Sequence, residues 1–458
     1  MPTMTQKMAA FSRQLRYEDI DSQTIANVKR FLFDSIGVAY GGANTEDVGI
    51  MLHYYNDIGG KAEASVLNSP LKLPMVHAAL LNSLMIRALD FNDIYWEQDP
   101  SHPSDIIPAA LSPAEVLHRD TREAIVAIVL AYEWEQRLCE FAIPGIRERK
   151  WHHASLTQLA APFVAGRVLG LSEAEMVNAA GISASSHMTL GAVTAGKLTM
   201  MKNTVDPMAT AAGVEAAILA QLGYEGPEHV LDGKEGLIDT LGERFDLDVL
   251  TDGLGESFRI NRCSMKAFPT EALTHTPISA VIKIMRDHKL QPDAVEKVTI
   301  STVARAADIL ADPSKYDPQT RETADHSLPY CIAAAIVDGK LTPHSFSRER
   351  IADPYLRSFL PRVEVIAEPD FEKTFPALKQ AGCKLQTRTG ETYSITLDYP
   401  LGDYREAMDE KQLTDKFDAL VLPVIGREKR DRLVDAIWGF EKIGDVADFM
   451  QLLRQDEA

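Results

Sequence analysis

The chain has 458 residues, of which 45% are aliphatic, aromatic or cysteine and 25% are charged, with a formal charge of −19. That length is too great for one compact core and predicts two domains, each burying its own apolar interior. The negative balance argues against nucleic acid or an anionic membrane as partner, since either calls for a basic surface, but an anionic small molecule stays open because a few cations in a cleft set the local field.

The N-terminus, MPTMTQKMAAFSRQLRYEDI, lacks the apolar run of a signal peptide, and no later stretch reaches the ~18 apolar residues of a membrane span. From residue 23 to about 260 the pattern is helical. The central stretch is 87–105, RALDFNDIYWEQDPSHPSD, which ends an apolar helix (Leu80, Leu81, Leu84, Met85) and then sets Asp90, Asp93 and His102 among prolines and serines that cannot continue it. Acid and base groups on an irregular segment anchored by a buried one suit a catalytic loop, although Asp90 and Asp93 could equally cap neighbouring backbone. Asp120 with Glu123 reads as a capping box. The KWHH segment places His152 and His153 at the N-terminal end of a helix beginning near Ser155, where the dipole favours anions. That helix stops around Gly170, and Ser172 with Glu175 caps the next. Lys202 falls in an irregular TMMKNTVDP segment, and Asp206 and Pro207 read as N-cap and first residue of a small-residue helix that Gly223 can end.

After about residue 265 the character changes. KVTISTV (297–303) alternates, residues 362–368 carry a short strand, and 383–399 read as a hairpin turning near Thr389–Gly390, with helices at 270–288 and 326–338. Lys266 sits at this junction in CSMKAFPTEALTH, close to Glu271. RETADHSLPY sets His326 and Tyr330 at the start of an apolar helix, either as an anion site with a tyrosine donor or as an elaborate cap. From Asp409 the pattern is helical again. The fold expected is mainly α: a large helical domain of 1–265 and 406–458 and a smaller α+β domain of 266–405.

The four cysteines, 139, 263, 331 and 383, stand apart, which predicts a reducing compartment, the cytoplasm by default, and argues against an iron–sulfur hydro-lyase. P-loop, GxGxxG, HExxH and GxSxG motifs are missing, leaving a set of Asp, His, Lys and Tyr without a cofactor or metal signature.

Taken in order, DFND, SHPSD, KWHH, MMKNTVDPMATAAG, KAFPTEALTH and ETADHSLPY resemble the signature segments of the MmgE/PrpD family. That family includes 2-methylcitrate dehydratases, cis-aconitate decarboxylases and an iminodisuccinate epimerase. The resemblance implies a helical domain with an α+β lid, a homodimer, and a cofactor-free site between domains for a tricarboxylate or dicarboxylate. Carried over by position, the family's active-site residues fall on Asp90, His102, His152, Lys202, Lys266 and Tyr330. Asp93, His153, Glu271 and His326 stand beside them as substrate-binding candidates, and no metal is implied. Where the decarboxylases have a threonine four residues after the first aspartate, this chain has Ile94. Where they have a histidine five residues after the KAFP lysine, it has Glu271, as the dehydratases do. Both departures point away from decarboxylation. The activity expected is cofactor-independent dehydration of a tricarboxylate such as 2-methylcitrate, with His102 and His152 as an acid/base pair, Asp90 orienting one of them, and Tyr330 donating to a substrate carboxylate. The alternatives are an epimerase or isomerase of a small dicarboxylate and a non-catalytic carboxylate-binding protein.

Overall fold

A computed structural model describes residues 2–195, 198–242 and 244–455. The chain divides into two compact units, Met1–Cys263 with Glu410–Ala458, and Ser264–Asp409.

The first unit is built from helices. α1 (Ser22–Gly42) starts where the Asp21 carboxylate accepts from the Thr24 N–H at 2.9 Å. α2 (Met75–Arg87) is buried on every face from Ala78 onward, so it runs through the core rather than along the surface. It leads into β1 (Asp93–Trp96) and β2 (Pro100–Ser101), a short antiparallel hairpin. α3 (Thr121–Glu140) is capped by Asp120, which accepts from the Arg122 N–H at 2.7 Å. Glu123 pairs with Arg167 at 2.9 Å, where the sequence pattern predicts a capping box.

α4 (Ala154–Leu169) ends at Gly170, left-handed at φ +79°, and Ser172 with Glu175 forms the expected capping box of helix Glu173–Ser186. α5 runs from Met201 to Gln221, so Asp206 and Pro207 lie inside it and do not start it. The proline removes only the one bond its N–H would have made to the Asn203 carbonyl, and the first turn forms regardless. In consequence Lys202 belongs to a helix and not to an irregular segment, with Asp206 one turn on along the same face. α4 and α5 approach closely because a Cβ on Gly213 would lie 2.5 Å from that of Ala161. This contact accounts for the small-residue stripe. The helix Glu410–Val421, which brings the chain back to this unit, packs into the core, Phe417 stacking on Phe33 at 4.1 Å between centroids. Among the described residues no helix is long and apolar enough to cross a membrane.

The second unit holds α6 (His275–Asp287), β3 (Val295–Thr302), α7 (Leu328–Asp338), β4 (Val363–Ala367), β5 (Ala381–Thr387) and β6 (Thr392–Leu397). Its sheet has the order β4-β3-β5-β6, with β3 parallel to β4 and antiparallel to β5. The β5–β6 hairpin turns at Gly390, φ +91°. Ala381, Cys383 and Leu385 of β5 alternate inward beneath α6.

Candidate active site

The stretch 87–105 folds back on itself. Its chain leaves α2 through Asp90, whose backbone is left-handed at φ +50°. Asp93 fastens the two arms: its carboxylate accepts from the Ser104 N–H at 3.0 Å and the Ser104 hydroxyl at 2.7 Å. Asn92 donates to the Ser104 hydroxyl at 2.9 Å and to the Asp105 carboxylate at 3.0 Å. Ser83 of α2 and Thr210 of α5 both donate to the Asp105 carbonyl, at 2.7 and 2.9 Å, tying the loop to two core helices. Asp93, expected among substrate-binding groups, is therefore a buried staple, and burial pushes its carboxyl up to about 6.

Three imidazoles gather behind this loop. His102 Nδ1 lies 2.7 Å from the Asp93 carbonyl. A carbonyl only accepts, so Nδ1 carries the hydrogen, and Nε2 is the lone-pair nitrogen of the neutral ring. His152 is the reverse, because the Ala154 N–H donates to its Nδ1 at 3.2 Å and the ring hydrogen sits on Nε2. Burial first, then the neighbouring His153 charge, holds His152 well below the usual histidine range. His153 is the N-cap residue of α4. Its ring lies against that of His152, tilted by 34° with 4.0 Å between centroids, and meets His102 edge-on at 5.7 Å.

Charged groups complete the cluster. Asp90 bridges two cations, accepting from Arg87 Nη1 at 2.6 Å and lying 2.9 Å from Lys202 Nζ. The Asp93 carbonyl holds His102, and His153 Nε2 lies 3.3 Å from Asp206 Oδ1. Arg87 Nε also reaches Asp105 at 3.6 Å and Asp206 at 3.8 Å. Burial, with Asp206 and Asp93 close by, pushes the Asp105 carboxyl well up in spite of Arg87. Burial also works against an Asp206 carboxylate, but His153 and Arg87 outweigh it and hold the group below the usual carboxylate range.

His152, His153 and Asp206 each offer a ligand atom within 4.8 Å of the others, the composition of a two-histidine, one-carboxylate metal site. The fit is poor. The Arg87 guanidinium, 3.8 Å from Asp206 Oδ2, opposes a further cation there.

The first unit thus brings together Asp90, Asp93, His102, His152, His153 and Lys202. The other four candidates belong to the second unit. Lys266 is buried, its ammonium donating to the Thr270 carbonyl at 3.0 Å. Glu271, expected to bind substrate, caps the next turn by accepting from the Leu273 N–H at 2.7 Å. His326, expected likewise, pairs through Nδ1 with Asp325 at 2.5 Å. The Tyr330 hydroxyl donates to the Ser345 carbonyl at 2.6 Å, so its proton is committed to the backbone, where the sequence reading has it donating to substrate. Sequence reasoning gave no role to Arg87, Asp105 or the pairing of Asp206 with His153. Arg87 three residues before Asp90 was a legible i, i+3 charge pair, whereas the Asp206–Pro207 dipeptide imitated a helix start.

The MmgE/PrpD N-terminal domain matches residues 6–250, and the MmgE/PrpD C-terminal domain matches residues 268–439. The chain belongs to the MmgE/PrpD family. Cis-aconitate decarboxylase of Homo sapiens is 25% identical over 466 residues, covering 99% of this chain and 95% of that protein. The 2-methylcitrate dehydratase of Cupriavidus necator is 24% identical over 364 residues, covering 75% of this chain and 74% of the relative. That of Salmonella typhimurium is 24% identical over 399 residues, covering 81% and 80%. As an MmgE/PrpD member related to both enzymes, the chain carries its cluster of acids, imidazoles and cations on the N-terminal family domain.

Proposed function

We propose that the protein is a lyase that removes water from a tricarboxylate such as 2-methylcitrate without a cofactor, and that His102 Nε2 is the base. The observation that carries this reading is the pair of opposite tautomers. His102 presents a lone pair at Nε2, and His152 presents a hydrogen there. Removing a proton beside a carboxylate moves an electron pair onto that carboxylate. The resulting dianion calls for fixed donors, which the Lys202 ammonium and the His152 Nε2–H supply, at about 3–4 kcal/mol for a well-placed one. A neutral imidazole is too weak an acid to protonate a leaving hydroxide, so His152 is a fixed donor, not one half of an acid/base pair. The proton taken up by His102 is the one returned: the C–O bond breaks, the hydroxyl accepts that proton, and water leaves.

Relatives named as decarboxylase and as dehydratase are 25% and 24% identical over 99% and 75% of this chain, so percent identity alone does not choose between the reactions. Ile94 and Glu271, which depart from the decarboxylase pattern, favour dehydration. Incubating the protein under chelator with 2-methylcitrate, citrate, cis-aconitate and iminodisuccinate separates the readings. A new conjugated double bond from 2-methylcitrate is expected. Carbon dioxide from cis-aconitate, deuterium exchange without a double bond, or tight binding with no turnover each replaces the proposal with another.

A further inference from the structure

The turn Pro103–Ile106 fixes the backbone of His102 from one side, the Asp105 N–H donating to the His102 carbonyl at 2.9 Å. On the other side the Asp93 carbonyl stands 2.7 Å from the ring Nδ1. The β1–β2 hairpin is too short to aim that carbonyl by itself: its register has two facing pairs, Tyr95 with Ser101 and Trp96 with Pro100, and Pro100 has no N–H for the ladder. We propose that Asp93 is a positioning residue: its carboxylate, clamped by Ser104, aims its own carbonyl at His102 and so fixes the hydrogen of that ring on Nδ1.

The clamp closes just beyond the hairpin. Ser104 reaches one carboxylate oxygen of Asp93 with its N–H at 3.0 Å and the other with its hydroxyl at 2.7 Å. That hydroxyl in turn accepts from Asn92 at 2.9 Å, and the Cys263 thiol approaches Asp93 Oδ2 at 3.8 Å. Asp93, Asn92 and Ser104 are each at most 1% exposed, so bulk water does not replace a bond removed here. Every residue carries a backbone carbonyl, and a substitution at 93 therefore changes its aim and not its presence. The aim decides the ring, because the tautomer of a neutral histidine follows the hydrogen bond that one of its nitrogens makes.

The effect on turnover rests on the lyase reading above, whereas the tautomer does not. Long-range nitrogen–proton spectra of the full chain, labelled with ¹⁵N-histidine and raised in pH until His102 is neutral, report the tautomer, and His102→Gln assigns the signal. The wild type is expected to carry the hydrogen on Nδ1. Asp93→Ala should let the Nε2–H form appear and lower kcat by about 10-fold, less than the ~10²-fold expected for loss of the base itself. Asp93→Asn keeps an acceptor for Ser104 and should restore the tautomer and most of the rate. Should Asp93→Ala fail to fold, Ser104→Ala opens the clamp from its other arm and is expected to show the same Nε2–H signal. Hydrogen on Nε2 in the wild type overturns the proposal. So does an unchanged Nδ1–H signal in a folded Asp93→Ala or Ser104→Ala, or an Asp93→Asn that behaves as Asp93→Ala. A shifted tautomer with undiminished kcat would keep the clamp and remove His102 as the base. Absence of turnover on every acid would remove the lyase reading and leave the spectra decisive.

Discussion

Lys202 Nζ lies 2.9 Å from Asp90 Oδ2, while the other oxygen of the same carboxylate accepts from Arg87 at 2.6 Å. One buried aspartate therefore fixes the ammonium assigned to the developing dianion. Asp90→Asn keeps the left-handed backbone, which asparagine tolerates, and removes the charge. Turnover of the tricarboxylate should fall by about 10²-fold with the fold retained. Steady-state kinetics beside a thermal melt checks this, and an undiminished kcat would release Lys202 from its role.

Arg87 faces Asp90, Asp105 and Asp206 while itself 3% exposed. Arg87→Met leaves two ionised carboxylates without their guanidinium and should destabilise the protein by about 3–5 kcal/mol. Urea unfolding measures it. A loss below about 1 kcal/mol would mean that the carboxylates find other partners.

Asp93 supplies a pH dependence whose sign is fixed. Its folded carboxyl titrates at about 6 against an ordinary value of 3.8, so the folded protein holds this proton more tightly than the unfolded chain. The contribution to stability is complete below about pH 4 and is lost as pH rises through 6, by about 3 kcal/mol. Unfolding wild type and Asp93→Asn in parallel from pH 4 to 7 isolates it. The wild type should lose ground to the variant across that interval, and a constant difference would contradict the shift.

Lys416, from helix Glu410–Val421, pairs with Asp34 at 2.6 Å and donates to the Phe91 carbonyl at 2.7 Å while lying 4.0 Å from the centre of the Phe91 ring. It supports the backbone next to Asp90 from below. Lys416→Met should cost about 3 kcal/mol through the stranded Asp34 and should also lower kcat by loosening the loop. Full activity in a destabilised variant would show that the support is structural only.

The helices were legible in the sequence wherever caps and apolar spacing agreed, as at Ser172–Glu175 and Gly170, and the alternation of KVTISTV located β3. α5 was misread because an Asp-Pro pair has the composition of a helix start, whereas the structure makes it the second turn of a longer helix. In the site, the residue types of the loop and of KWHH were readable as acid/base chemistry. Which hydrogen each imidazole carries was not, because that is decided by the Asp93 carbonyl and the Ala154 N–H, backbone groups with no signature in composition. The Asp206–His153 contact joins residues 53 positions apart in the chain, and only the packing of α5 on α4 reveals it. Glu271, His326 and Tyr330 were chosen for residue type and motif, and their polar atoms turn out to serve local caps and pairs.

The most direct test is the rate of double-bond formation from 2-methylcitrate in His102→Gln against wild type, with folding checked by circular dichroism. A fall of about 10²-fold or more in a folded variant is expected of a residue that both takes and returns the proton. A rate within about 3-fold of wild type would show that His102 is not the base.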